Sequence, residues 1–202
     1  MWNNKHLEYI SKAYEVKYDE WLVDFDDIVN SVNGVIIDLG CGAGNNTLYL
    51  KEKNKNVISC DYSQQALDIV EKYILGSQTM LFDMTDRLPF EDNYTELVIA
   101  DLCLHHFSEE VTLKVINEIK RILKKDGHLM FRVNSVNDTN YGAMQGEKLE
   151  KTFYFVNDIT KRFFDEEDLR KFFKDWNIEY MNEEIMGRYD KIKKLWRCVV
   201  RK

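Results

Sequence analysis

Short apolar runs alternate with amphipathic stretches along most of the chain after residue 34. The runs are rich in β-branched or aromatic residues and are bounded by polar residues or glycine, which predicts buried strands. The stretches between them repeat apolar residues at helical spacing, as in QQALDIVEKYI. Strands that alternate with helices predict a parallel sheet, because parallel strands need crossover connections. The first five predicted strands are GVIIDL, NVISCD, TMLFDM, ELVIADLCL and GHLMFRV.

The last part of the pattern differs from the rest. The runs IEYMNEEIM and LWRCVVR have only a polar loop between them, so they are predicted to pair antiparallel. The whole pattern is typical of an α/β, doubly wound, Rossmann-like fold with three αβα layers. Its sheet is predicted to have seven strands, mostly parallel, with an antiparallel C-terminal strand. The length and the 45% apolar content suit one core, so we expect a single domain over residues 1–202.

Capping residues predict the ends of several helices. Ser63, Ser108 and Asp165 each stand just before a helical repeat and are predicted N-caps. Gly127 is predicted to end the helix that begins after Ser108, because glycine favours the left-handed conformation beyond a helix C-terminus.

Two segments stand outside the alternation, residues 1–30 and about 134–163. The first is predicted to form a helix with an aromatic face, which either packs on the sheet or acts as an N-terminal helical lid over a ligand. The second is expected to be an insertion that covers the substrate site. The aromatic residues of the first segment are Tyr14, Tyr18, Trp21 and Phe25.

The first predicted strand ends in a cluster of glycines. The stretch VIIDLGCGAGNNT places Gly40, Gly42 and Gly44 at alternate positions, directly before a predicted helix. A helix N-terminus exposes free N–H groups and glycine leaves the backbone bare, so this turn is predicted to contact a ligand. The dinucleotide fingerprint is incomplete, since Asn45 stands where its third glycine belongs, and no lysine follows as in a P-loop.

Carboxylates lie at the ends of the first three predicted strands. Asp38 precedes the glycines, Asp61 closes the second strand, and Asp83 with Met84 closes the third. The carboxyl ends of parallel strands meet at one edge, so these acids are predicted to surround one pocket. Asp61 suits a ribose diol, while Asp83 suits an adenine amino group with Met84 packed on the ring. The acids favour a cationic ligand, such as a sulfonium, over a pyrophosphate.

These motifs resemble those of the class I S-adenosylmethionine-dependent methyltransferases, in their small single-domain form. The resemblance covers about residues 34–133 and rests on DLGCGAG, the strand-end acids and ADLCLHHF. It implies S-adenosylmethionine as the cofactor and S-adenosylhomocysteine as its product, with an N-terminal segment over the bound cofactor. The implied cofactor-binding residues are Asp38, Gly40, Cys41, Gly42, Gly44, Asp61, Tyr62, Asp83, Met84, Asp101, Leu102, Tyr14 and Tyr18.

Candidate acceptor residues follow the fourth and fifth strands. Methyl transfer from a sulfonium is an in-line displacement that depends chiefly on positioning, so no catalytic triad is required. His105 is the candidate catalytic residue, as a base or as a substrate contact, and the alternative is a packing role. Arg132 either contacts substrate or pairs with an acid, and Tyr141 in the insertion is a further substrate candidate.

Composition narrows the expected partners. A net charge of −7 argues against phosphate binding, so we expect a small-molecule methyl acceptor, no nucleic acid and no membrane. The four cysteines are scattered and give no zinc spacing, so no metal site is expected. Scattered cysteines and the lack of a signal-peptide pattern favour a cytoplasmic protein, as a monomer or homodimer.

The expected function is therefore methyl transfer from S-adenosylmethionine to a small molecule. The insertion also resembles that of small-molecule methyltransferases of the tellurite-resistance type. Two alternatives stay open. One is a non-catalytic protein that binds the cofactor as a sensor or as a partner subunit. The other is an NAD-dependent oxidoreductase, which shares the glycine turn and Asp61 but gives no role to Asp83.

Overall fold

The computed structural model describes residues 16–202, which form an α/β sandwich around a central sheet. The described strands are β1 (Val35–Leu39), β2 (Asn56–Asp61), β3 (Gln78–Leu81), β4 (Thr95–Asp101), β5 (Leu123–Asn134), β6 (Glu147–Glu150), β7 (Phe153–Val156), β8 (Ile159–Arg162), β9 (Asn177–Met186) and β10 (Lys193–Arg201). The described α-helices are α1 (Asp26–Ser31), α2 (Asn45–Glu52), α3 (Gln64–Tyr73), α4 (Glu109–Ile122) and α5 (Glu166–Phe172). In this part of the chain, no helix combines the length and apolar character needed to cross a membrane.

The central sheet confirms the predicted doubly wound topology. Its seven strands run in the order β3-β2-β1-β4-β5-β10-β9. Strands β1 to β5 pair in parallel, whereas β10 pairs antiparallel with both β5 and β9. The chain moves outward in one direction from β1 to β3 and then returns to place β4 on the other side of β1. The crevice at this switch point, outside the carboxyl ends of β1 and β4, is where doubly wound sheets bind ligands.

The sheet is buried on both faces because its central strands are mostly apolar, with few buried polar residues, such as Asp38 in β1 and Ser59 in β2. Helices α4 and α5 cover one face, where Phe131 of β5 stacks on Phe173 with ring centroids 4.6 Å apart. The segment 20–32 and helix α2 cover the other face, where Trp21, Leu22 and Val29 are buried. Continuous apolar strands of this kind are typical of parallel sheets with helices on both sides.

The N-terminal aromatic segment does not form the single helix that its spacing predicts. Within the described residues, a 3₁₀ turn over Glu20–Phe25 leads into the short helix α1. Phe25 interrupts the helix with φ −118° and ψ 22°, and its ring contacts that of Tyr180 at 5.1 Å. Trp21 is buried against the sheet, so this part of the segment packs as the first interpretation proposed.

A small second sheet lies inside the expected insertion. Strands β6, β7 and β8 form an antiparallel meander in that order. The backbone N–H of Arg162 donates to the carbonyl of His105 at 2.7 Å, and Ser135 bridges to Phe164. The small sheet is therefore attached directly beyond the carboxyl ends of β4 and β5.

The predicted helix starts are confirmed, but one predicted helix end is wrong. Ser63, Ser108 and Asp165 each accept a hydrogen bond from a backbone N–H of the following helix. Helix α4, however, ends at Ile122 rather than at Gly127. Gly127 lies within β5, where a Cβ would stand 3.0 Å from the carbonyl oxygen of Lys124 and 3.1 Å from that of Glu96. Close backbone approach, not helix termination, requires glycine there.

Candidate functional site

The turn between β1 and α2 is held by the backbone of the neighbouring strand. The N–H groups of Gly40 and Cys41 both donate to the carbonyl of Cys60, at 2.8 and 2.9 Å. Gly40, Gly42 and Gly44 all have positive φ, at 69°, 52° and 87°. These conformations strain any residue with a Cβ, which explains the alternate glycines.

The three glycines face different surroundings. A Cβ on Gly40 would stand 2.6 Å from the Cβ of Cys103, and one on Gly44 would stand 2.6 Å from the Cδ1 of Ile74. A Cβ on Gly42 would meet no atom within 4 Å. Two of the glycines therefore serve close packing, and Gly42 is the one that opens toward space a ligand could fill. Cys41 is buried, and burial raises the pKa of its thiol well above the usual value.

Asp61 connects the glycine turn to the end of β2. One carboxylate oxygen accepts the N–H of Gly42 at 2.9 Å, and the other accepts the N–H of Ser63 at 2.9 Å. The side chain is only 9% exposed, so these bonds hold its orientation. A carboxylate has lone pairs for about four hydrogen bonds, so two hydroxyls of a ribose can still donate to it. The residues therefore fit an adenosyl cofactor at this point.

Asp38 has a different environment from Asp61. It is fully buried, and its carboxylate accepts the hydroxyl of Thr47 at 2.7 Å and the amide of Asn46 at 3.5 Å. Burial raises the pKa of Asp38 to about 7, and the nearby carboxylates of Asp101 and Asp61 add to the effect. Asp38 therefore fixes the first turn of α2 from inside and supplies negative charge that strengthens when a cation approaches.

The predicted adenine-binding residues follow β3 in a tight turn. One oxygen of Asp83 accepts both the N–H and the hydroxyl of Thr85 at 2.8 Å. The Cε of Met84 lies 3.2 Å from the position of a Cβ on Gly40, so this side chain borders the glycine turn. Tyr62 is 56% exposed, and burial of its hydroxyl together with Asp61 and Asp83 raises its pKa. The structure brings these residues to one edge, where they remain the predicted adenine and ribose contacts.

The end of β4 carries a buried network of acids and arginines. Arg132 holds Asp101 with two hydrogen bonds, at 2.7 and 2.8 Å, and it holds Asp19 at 2.6 Å. Arg188, which lies in the loop between β9 and β10, pairs with the same two acids. The guanidinium of Arg132 also lies 4.6 Å from the ring centroid of Trp21. Arg132 is 3% exposed, so its alternative role as the partner of an acid is the one that the structure supports.

This network also changes the expectation for the methionine end of the cofactor. The Asp101 carboxylate is engaged by two guanidinium groups, and the arginines lower its pKa although burial alone would raise it. Leu102 has a φ of 55°, and its N–H donates to the carbonyl of Arg132 at 3.0 Å. Contact of Asp101 and Leu102 with the methionine part stays a prediction, and the Asp101 carboxylate would make it while paired with two arginines.

His105 is enclosed rather than exposed to solvent. Burial lowers its pKa well below the usual value, and nearby His106, Lys193 and Lys161 lower it further. The imidazole is therefore neutral at pH 7, and its Nδ1 has no hydrogen-bond partner among residues 16–202. His106, whose ring centroid is 4.4 Å away, places its Nδ1 3.0 Å from the carbonyl of Thr160. No cluster of three or more metal-ligating side chains occurs in the described part of the chain.

Tyr141 lies above a buried lysine next to His105. Its hydroxyl donates to the carbonyl of Lys191 at 2.9 Å, and the ammonium of Lys193 lies 4.8 Å from its ring centroid. Lys193 is buried between Asp138, at 2.8 Å, and the side-chain oxygen of Asn134, at 2.6 Å. Tyr141 thus borders the region beyond β5, and its contact with a substrate stays a prediction.

Tyr18, one of the two N-terminal tyrosines predicted to contact the cofactor, is not placed at the glycine turn. The hydroxyl of Tyr18 donates to Glu52 at 2.6 Å, at the far end of α2, and its ring packs edge-on against Tyr49. The predicted contact of Tyr18 with the cofactor is therefore wrong for this conformation, because the tyrosine is used to hold the helix. Tyr14 lies outside the described residues.

Sequence reasoning missed several residues of the site. They are distant in the sequence from the motifs, since Arg188 follows β9 and Asp19 precedes the first helix. Only the folded chain brings them next to the end of β4. A polar residue closing an otherwise apolar strand was the one available signal, and Asn134 shows it. The missed residues are Asp19, Asn134, Asp138, Arg188 and Lys193.

Comparison with known proteins agrees with this geometry. Residues 37–131 match a protein-family profile described as a methyltransferase domain. The tRNA N(3)-cytidine methyltransferase METTL6 of Rattus norvegicus is 30% identical over 179 residues, which cover 82% of this chain and 62% of that protein. The chain spans about half to three fifths of the length of the first curated relatives that it matches.

Solved structures show the same fold. An S-adenosylmethionine-dependent methyltransferase of Clostridium acetobutylicum has a TM-score of 0.72 at 19% identity, covering 99% of this chain and 98% of that one. The 1,6-didemethyltoxoflavin-N1-methyltransferase of Burkholderia thailandensis was solved with its substrate and S-adenosylhomocysteine. Its TM-score is 0.69 at 14% identity, covering 100% of this chain and 83% of that one.

The tRNA methyltransferases among the relatives contradict one expectation. We expected a small-molecule acceptor and no nucleic acid, and that expectation was wrong. It rested on the net charge, which averages over the whole surface, whereas binding depends on the local potential at a site. Around the acceptor side, the structure gathers the basic residues Lys161, Arg188, Lys191 and Lys193.

Proposed function

The chain belongs to the class I S-adenosylmethionine-dependent methyltransferases, and from this premise we propose that it transfers a methyl group to a base in RNA. Membership of this family argues against the NAD-dependent oxidoreductase, which would also give no role to Asp83. The relatives of this chain are described as methyltransferases, which favours an enzyme over a non-catalytic sensor.

The observation that carries the cofactor assignment is the contact between Asp61 and Gly42. The carboxylate is oriented by two backbone N–H groups, and the turn that it holds has one glycine facing open space. When bound, S-adenosylmethionine supplies an activated methyl group on a cationic sulfur. The chain's residues hold the ribose at Asp61, bind the adenine beside Met84 and supply negative charge from Asp38. Positioning of this kind contributes about 7–11 kcal/mol to such reactions.

The observation that supports an RNA acceptor is the set of tRNA methyltransferases that align with most of this chain. Lys191 is exposed in this region and offers a partner for a phosphate group, whereas Arg188 and Lys193 are already paired with carboxylates. Nucleic-acid enzymes that modify a base take it out of the stack into a pocket, reading its edge by hydrogen bonds. The enclosed polar groups next to Tyr141 suit such a pocket.

Cofactor binding is tested by calorimetric titration of the purified chain with S-adenosylhomocysteine. Wild type is expected to bind, and Asp61→Ala is expected to weaken binding by about 10- to 100-fold, because it removes charge-assisted hydrogen bonds to the ribose. Asp68→Ala is the matched control, since Asp68 lies exposed on α3, where its carboxylate accepts a hydrogen bond from the side chain of Gln64. Equal affinity in the two variants would contradict the assignment.

The acceptor is tested with a pool of unmodified tRNA transcripts and radiolabelled S-adenosylmethionine. We expect label in RNA, with the methylated nucleoside identified by mass spectrometry after digestion. A chain that binds S-adenosylhomocysteine but labels none of the transcripts would overturn the RNA acceptor while leaving the cofactor assignment intact.

A further inference from the structure

Three buried side-chain polar atoms have no hydrogen-bond partner within residues 16–202. One is the Nε of Arg188, whose other guanidinium nitrogens are paired with Asp19 and Asp101, and the other two lie beyond the ends of β4 and β5. They are the Nδ2 of Asn134, whose side chain is 1% exposed, and the Nδ1 of His105, which is 5% exposed. Burial of a polar group without a partner is unfavourable, so such groups in a native fold call for an explanation. A ligand that supplies the missing partners is such an explanation.

The orientation of the Asn134 amide is set by its neighbours. The ammonium of Lys193 lies 2.6 Å from the side-chain oxygen of Asn134 and 2.8 Å from a carboxylate oxygen of Asp138. An ammonium only donates, so the atom facing it must be the amide oxygen, and the NH2 group must point away from it. The chain from Asp138 through Lys193 therefore presents a fixed N–H donor at Asn134.

The position of this pair relates it to methyl transfer. Asn134 is the last residue of β5, and His105 follows the end of β4 by four positions. Strand β4 lies between β1 and β5, so a ligand on the glycine turn that extends across β4 directs its reactive end toward these two side chains. They lie on the acceptor side of the site.

We infer that Asn134 and His105 read the Watson–Crick edge of a cytosine base, as the base-recognition element of the proposed RNA methyltransferase. This inference rests on the proposed function. The Asn134 amide donates to the O2 carbonyl, and Nδ1 of His105 accepts from the N4 amino group. The ring nitrogen N3 lies between these two groups and faces the methyl donor. Lys193 and Asp138 are positioning residues that act through Asn134.

The chemistry agrees with the neutral state of His105. In neutral cytosine, the lone pair of N3 forms the new N–C bond while the C–S bond breaks and its electron pair returns to sulfur. The positive charge passes from sulfur to the base, and no proton leaves, so no general base is needed. Burial lowers the pKa of His105, so the ring is neutral, and in its Nε2–H tautomer Nδ1 has a lone pair for hydrogen bonding. Uracil carries a proton on N3 and a carbonyl instead of the amino group, so the same pair disfavours it.

The inference is tested with Asn134→Asp, which keeps an oxygen toward Lys193 and removes the N–H donor. With the tRNA transcript pool as substrate, kcat/KM is expected to fall about 10- to 100-fold, while the Kd for S-adenosylhomocysteine stays unchanged. Asn177→Asp is the matched control, because Asn177 is exposed at the start of β9, at the edge of the sheet far from Asn134. Lys193→Met is expected to raise KM for RNA more than it lowers kcat, since it frees the amide to turn.

A second measurement keeps the result independent of folding. The thermal unfolding midpoint of each variant is recorded, so that a loss of activity can be separated from a loss of folded protein. Among the His105 variants, His105→Gln keeps a polar group and is expected to retain more activity than His105→Phe. Methylated cytidine as the product in wild type supports the inference, and a methylated purine or uridine overturns it. If wild type methylates RNA but Asn134→Asp does so with unchanged kcat/KM, this inference fails and the proposed function stands. If wild type labels no RNA, the proposed function itself fails.

Discussion

Replacing Gly44 by alanine is expected to lower stability more than affinity for the cofactor. The new methyl group would stand 2.6 Å from Ile74 Cδ1 and 3.0 Å from Val70 Cγ2, at a φ of 87°. A left-handed conformation costs about 1–2 kcal/mol in a residue with a Cβ. Overpacking adds about 1–3 kcal/mol, and the lower half of this range applies because the Ile74 methyl is the flexible end of its side chain. The total is about 2–4 kcal/mol, which lowers the melting temperature by about 5–15 °C in a chain of this size.

Replacing Gly42 by alanine is expected to have the opposite balance. Its φ is 52°, but no atom lies within 4 Å of the new Cβ, so only the backbone term of about 1–2 kcal/mol applies. The methyl group would instead occupy space beside Asp61 that the cofactor needs. We therefore expect at least a tenfold loss of affinity for S-adenosylhomocysteine, measured by calorimetry, with a smaller change in melting temperature.

Gly76→Ala is the control for both variants. Gly76 has a φ of 69°, and a Cβ there would stand 3.9 Å from the Nζ of Lys51, so alanine at this position has similar backbone strain away from the glycine turn. If Gly42→Ala binds S-adenosylhomocysteine as tightly as Gly76→Ala, the ligand-facing role of Gly42 is refuted. If Gly44→Ala melts no lower than Gly76→Ala, the packing argument is refuted.

Three further predictions concern charge and capping. Burial raises the pKa of Asp38 from 3.8 to about 7, so the folded protein holds a proton that the unfolded chain has lost between these values, and wild type should lose melting temperature relative to Asp38→Asn as pH rises from about 4 to about 7, with no further loss above. Ionisation of Asp38 in the folded protein should tighten binding of cationic S-adenosylmethionine between about pH 6 and pH 8, measured by calorimetry at each pH. Arg132→Met removes one of the two guanidinium groups that pair with the buried Asp101, and it should cost about 3 kcal/mol of unfolding free energy in urea titrations, the lower end for a broken buried pair because Arg188 remains; a loss below about 1 kcal/mol would contradict the network. Ser108→Ala removes the N-cap of α4 and should cost about 1 kcal/mol, visible in the same titration, whereas no change would show that water replaces the cap.

The parts of the fold that sequence could predict are those with local patterns. The strands, their alternation with helices and the caps at Ser63 and Ser108 depend on residues close together in the chain. The seat at Asp61 was also predictable, because the end of β2 must lie beside the turn that follows β1. The N-terminal segment was harder, since aromatic spacing could not reveal that Phe25 breaks the helix.

The acceptor side could not be predicted because its residues meet only in three dimensions. Arg188 and Asp19 are far apart in the sequence and pair through a loop and an N-terminal turn. No periodicity relates them, and Lys193 belongs to a basic stretch that has the composition of a solvated edge. Its burial follows from the position of β10 between β5 and β9, which is a property of the whole sheet.

The contact between Arg188 and Asp19 joins two parts of the chain that the ribosome makes at different times. The ribosome delivers the chain from its N-terminus, so the glycine turn and Asp61 emerge long before the segment that carries Arg188. Strand β10, which must enter between two strands already made, is the last strand of the central sheet to be delivered. A nascent chain can therefore build the nucleoside-holding half of its crevice early, while the half that receives the methyl group is finished only after Arg188 and β10 have been made.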